Sequence, residues 1–168
     1  MDLIGGAPYL LDVIILWIHL FSAVIFVGGS FFMWIVVMPA TKLVAKDEAE
    51  RTLLVGRIAK QFGRLVTPLL VVLVLTGLYN ATWYLPSFSS LFYTYDGLLL
   101  FIKSVLTTGL IVLIYIHNVY FGRKIVRMAR ERDVEGLKAV RRRSRVISMM
   151  NLVLMALILL VAVLMQSA

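Results

Sequence analysis

The stretch GLLLFIKSVLTTGLIVLIYIH, residues 97–117, decides the reading of this chain. It is twenty-one residues long and carries one full charge, Lys103, so as a helix it spans the ~30 Å hydrocarbon core of a bilayer. A cation in such a segment faces a bundle interior, a cavity or a ligand rather than lipid. The segment therefore predicts both a membrane span and a functional position.

Working outward, three further apolar segments are long enough to cross. The expected helices run about 10–38, 65–86, 97–121 and 146–167. Hydrophobic residues make up 61% of the 168, too many for an ordinary soluble domain. The fold class is an all-α membrane protein: one transmembrane domain over 1–168, built as a four-transmembrane-helix up-down bundle.

Sixteen of the seventeen lysines and arginines fall at 40–64 and 122–146, and Lys103 is the seventeenth. Confinement of the +8 net charge to two loops fits the positive-inside bias and excludes nucleic acid as the partner. The two loops are expected in the cytoplasm, with both termini on the outer side of the cell (cytoplasmic) membrane. Val44, Leu53, Leu54, Ile58 and Phe62 recur at near-helical spacing, so the first loop is expected to extend the helices into the interface. The cluster Arg141, Arg142, Arg143 and Arg145 suits anionic headgroups, although topogenic charge explains it equally. Pro68 is read as lying in the first turn of the second span. The N-terminal run is expected to be a retained span rather than a signal peptide. The lipid bilayer is the primary partner; a quinone, a porphyrin, a redox protein or a second copy of the chain are further candidates.

The chain has no cysteine, so metal chemistry falls to His, Met, Lys, Asn and Tyr. His19 follows Asp12 by seven residues and Lys103 follows Asp96 by seven. Both are expected roughly 10 Å below the outer boundary. Asn80, Trp83 and Tyr84 approach that layer from the second span, and Phe26 and Gly29 continue the His19 face of the first. His19 is the expected axial iron ligand, Asn80 and Tyr84 candidate partners for propionates, Trp83 and Phe26 candidate walls, and Gly29 a source of room for a flat cofactor. Lys103 is read as a propionate counter-ion, a ligand or the catalytic group. His117 lies fourteen residues, about 21 Å, beyond Lys103. It either forms a second, inner metal site with Met38, Met149, Met150 or Asn151 nearby, or is an interfacial histidine.

IHLFSAVIFVGGSFFMWIVVMPA resembles the first helix of the CopD and HemJ-like membrane protein superfamily, and FGRLVTPLLVVLVLTGLY resembles its second. The third helix is similar to the HemJ-like pattern of an early lysine and a late histidine. The resemblance covers nearly all the chain. It implies haem b with His19 as axial ligand and a required Lys103. For an enzyme it implies an oxidoreductase that oxidises protoporphyrinogen IX. CopD-type relatives imply copper handling instead. The function expected first is a haem b membrane protein with a redox role, in electron transfer or porphyrinogen- or quinone-type oxidation. Copper handling is the alternative, and a cofactor-free assembly protein the third.

Overall fold

The computed structural model describes residues 7–83, 89–131 and 133–166. Among these every regular element is helical. Helix α1, Ala7–Phe32, passes through a π-helical stretch, Met33–Val37, into α2, Met38–Val44. Helix α3 runs Glu48–Ala81, and the short α4, Ser90–Tyr93, interrupts the loop before α5, Tyr95–Ile116. A second π-helical stretch, His117–Gly122, leads into α6, Arg123–Arg130, and α7 closes the chain at Val134–Gln166. Four continuous helical rods, Tyr9–Val44, Glu48–Ala81, Tyr95–Arg130 and Glu135–Gln166, are long and apolar enough to cross a membrane. The protein is a multi-pass membrane protein.

The rods are longer than the expected spans because the basic segments are themselves largely helical. Asp47 starts α3 by accepting from the Glu50 amide at 2.7 Å, and Glu50 accepts from the Lys46 amide at 2.8 Å. These carboxylates satisfy amides otherwise left open at a helix start. Pro68 therefore lies well inside α3 rather than in a first turn. Its missing N–H and its ring are accommodated within a helix that continues on both sides. Thr94 caps α5 through the Gly97 amide at 3.0 Å. A Cβ at Gly97 would collide with the Ser90 carbonyl and with Leu91, so this tight entry requires glycine.

Helix α1 packs along α3 and α5 along α7, whereas α1 meets α7 only slightly. The bundle is thus two close pairs joined along a thinner seam. Phe26, Leu110 and Met155 cross the seam at mid-depth, and Leu99, Leu100, Val161 and Met165 form a second cluster at the end away from the basic segments. Large apolar side chains cover the outside, among them Trp17, Val24 and Leu78, as expected where the surroundings are lipid.

Candidate functional site

The layer holding His19 is built at the far end, opposite the basic segments. His19 Nδ1 lies 2.8 Å from Thr76 Oγ1, joining α1 to α3. The Thr76 hydroxyl donates to the Val72 carbonyl one turn back at 2.6 Å. A hydroxyl has one proton, and with it committed to Val72 the Thr76 oxygen accepts from His19 Nδ1–H. In this arrangement Nδ1 carries the proton and Nε2 keeps its lone pair, with the Leu73 carbonyl a further acceptor beside the ring. Gly77 makes the approach possible: a Cβ there would stand 3.2 Å from His19 Cε1. On the same helix pair, Tyr79 donates to the Asp12 carboxylate at 2.7 Å, closer to the helix ends.

Lys103 stands on α5, across the seam, within electrostatic reach of the His19 ring. Among the described residues its ammonium has no ion-pair or hydrogen-bond partner. Asn80, one turn beyond Thr76, is buried and its Oδ1 is unpartnered. Met165 packs against Leu99 and Leu100, one turn from Lys103. The layer thus holds the His19 imidazole, the unpartnered amide oxygen of Asn80 and Lys103, with the Met165 thioether beside Leu99 and Leu100 at its edge.

The other sequence candidates separate. Phe26 lies two turns deeper than His19, in the mid-bundle cluster with Leu110 and Met155. Gly29 lies deeper still and receives the Phe62 ring; a Cβ there would fall 2.5 Å from it. The room it leaves is filled by an aromatic of the neighbouring helix. Trp83 meets Tyr79 edge to face at 6.1 Å and is half exposed. Tyr84 lies outside the described residues.

His117 is held between α5 and α7. Its Nε2 lies 2.9 Å from Ser144 Oγ and 3.2 Å from Ser148 Oγ. Nε2 is thus engaged by two neutral hydroxyls. Met149 and Met150 face outward, whereas Met155 and Met165 face inward. The thioethers that point into the bundle are therefore at mid-depth and at the His19 end, rather than beside His117. Asn151 is buried on the same α7 face as Ser144 and Ser148, with its Oδ1 unpartnered.

Among the described residues no group of three or more His, Cys, Asp or Glu could hold a metal ion. A metal here needs thioether, amide or amine donors beside one imidazole. Thr76, Ser144 and Ser148 were absent from the sequence candidates. The Thr-Gly pair at 76–77 and the i, i+4 spacing of the serines are the signals that carry them.

A model of the copper resistance protein D family matches residues 56–165, from within α3 through most of α7. His19 precedes the matched segment. No curated protein and no solved structure gives a match. The matched segment is about two thirds of the chain and includes Thr76, Asn80, Lys103, His117 and both inward-facing methionines, so the chain belongs to the copper resistance protein D (CopD) family.

Proposed function

We propose that this protein handles copper within the membrane and that copper, as cargo, binds at the far-end layer through His19. The observation that carries the reading is the His19–Thr76 contact: with the Thr76 proton on the Val72 carbonyl, His19 donates through Nδ1 and Nε2 is available to a metal. An imidazole whose second nitrogen donates to a fixed acceptor is the usual form of a metal-ligating histidine. Family membership supplies the metal. The inward-facing thioether of Met165 supplies a soft donor suited to Cu(I). Asn80 Oδ1, and Lys103 as a free amine, complete the available donor set. The basic segments lie in the cytoplasm and both termini outside, on the charge bias of the loops.

A second reading, haem b as in HemJ-like proteins, is favoured by Lys103. An unpartnered ammonium beside a ligating imidazole suits an anionic propionate better than it suits a metal cation. The Phe62 ring in the space beside Gly29 weighs against a flat macrocycle there. In this reading haem supplies the redox chemistry, His19 holds the iron and Lys103 holds a propionate.

The test is Cu(I) titration of the detergent-purified protein under reducing conditions against a colorimetric chelator, with His19→Ala in parallel. Copper handling predicts saturable binding in the wild type and at least about a tenfold loss of affinity in His19→Ala. Equal affinity in both proteins refutes the assignment of His19.

A further inference from the structure

The basic end of the bundle gathers arginines that its own carboxylates leave incompletely paired. Arg51 of α3 reaches the Met38 carbonyl at the start of α2, and Glu48, in the first turn of α3, meets both Arg51 and Arg141 of α7. Glu48 Oε1 accepts from Arg51 Nη1 at 3.1 Å, and its Oε2 accepts from Arg141 Nη1. Arg51 is 93% buried (7% exposed); its Nη2 is 3.4 Å from the Met38 carbonyl, and its Nε is buried without a partner. Arg145 follows Arg141 by one turn, close enough for the two charges to interact. Like charges at this spacing oppose each other unless something lies between them.

The other described carboxylates of this end are committed elsewhere or stand apart. Asp47 caps α3, Glu50 accepts from the Lys46 amide, Glu131 pairs with Arg127 and Asp133 accepts from the Gly136 amide. Glu135 is exposed and precedes Arg141 by six residues, nearly two turns of α7. Arg51 and Arg141 thus share the single carboxylate of Glu48, and Arg145 beside them has no carboxylate partner among the described residues.

We propose that Arg141 and Arg145, with Arg51 behind them, bind the phosphate group of an anionic phospholipid at the α2–α3–α7 junction. Guanidinium forks match phosphate oxygens in geometry and charge, and basic pockets between membrane helices are suited to headgroups. The flanks favour a lipid over a free phosphate. Val146, next to Arg145 in the chain, is 55% exposed, and Leu43 and Val44, five and four residues before Glu48, are 89% and 75% exposed. An ion paired with acyl chains satisfies both surfaces, whereas a hydrated phosphate leaves the apolar flank uncovered. The site is independent of how copper binds at the far end.

The test uses the full-length, delipidated protein in detergent. Thermal unfolding is followed while phosphatidylglycerol, phosphatidylcholine or inorganic phosphate is added at equal ionic strength. Saturable stabilisation by phosphatidylglycerol alone is expected, with the midpoint concentration raised about tenfold in Arg145→Gln. Arg145 makes no contact with Glu48 among the described bonds, so this variant keeps the Glu48 contacts intact. Lys60→Gln, an exposed charge elsewhere on α3, is expected to leave the midpoint unchanged. Equal effects of the two lipids, equal losses in Arg145→Gln and Lys60→Gln, or full stabilisation by inorganic phosphate would each overturn the proposal.

Discussion

Among single residues, copper binding depends most on which nitrogen of His19 carries the proton. Thr76 favours the proton on Nδ1, because its own hydroxyl points to the Val72 carbonyl. Thr76→Val keeps the β-branched shape but removes the acceptor, freeing the ring to change tautomer and to rotate. Copper affinity is expected to fall about 10- to 100-fold, the usual cost of losing such a partner, while the thermal midpoint moves little. The same titration in Thr76→Ser, which restores the hydroxyl, is expected to return most of the affinity. Metal ligands must be unprotonated, so protons compete with copper and acidification weakens binding in both wild type and variant.

His19 and Lys103 were legible in the sequence because each is a polar residue in an apolar helix, counted seven residues from an aspartate. Asn80 was legible as a member of their layer. The role of Thr76 was not: the Thr-Gly pair at 76–77 marks the position, but only the tertiary contact shows what its hydroxyl meets. His117 shows the converse. Its depth was readable, but its two serine partners lie on a helix whose rotation the sequence alone leaves open.

At the scale of elements, the close pairing of α1 with α3 depends on glycines that admit aromatic rings. Gly29 accepts Phe62, and Gly77 accepts His19. Gly29→Ala places a methyl group against the Phe62 ring and is expected to cost about 1–3 kcal/mol of stability by overpacking. Chemical denaturation in mixed micelles reads this cost, and Phe62→Leu in the Gly29→Ala background is expected to recover part of it. An unchanged midpoint in Gly29→Ala would show that α1 and α3 are not packed this closely.

The small stripe on α1 was readable as a close-approach face, but its occupant was not. The helical character of the first basic segment was readable from the spacing of its apolar residues. The position of Pro68 deep inside α3 was missed because the start of the helix was set by charge rather than by the Asp47 cap. Both π-helical stretches, one beginning at Met33 and one at His117, went unseen, since an extra residue in a helical turn leaves no mark on hydrophobic periodicity.

At the scale of the whole molecule, four crossing rods were legible from segment length and charge confinement alone. Their grouping into two pairs was not, because apolar faces suit lipid and protein equally well. The pairing gives the molecule its functional geometry. His19 and Thr76 belong to one pair and Lys103 to the other, so the candidate site lies on the seam. At the basic end Glu48 ties α3 to α7 across the same seam. A ligand held at the far end touches both pairs and is expected to hold them together there.

The central claim is that copper, rather than haem, is what this layer holds. The most direct measurement is the copper and haem content per chain of protein purified from cells supplied with both, by elemental analysis and pyridine haemochrome absorption. Copper handling predicts copper near one per chain, no Soret band, and loss of that copper in His19→Ala. A stoichiometric haem b with sharp reduced bands and no copper would contradict the account and establish the haem reading in its place.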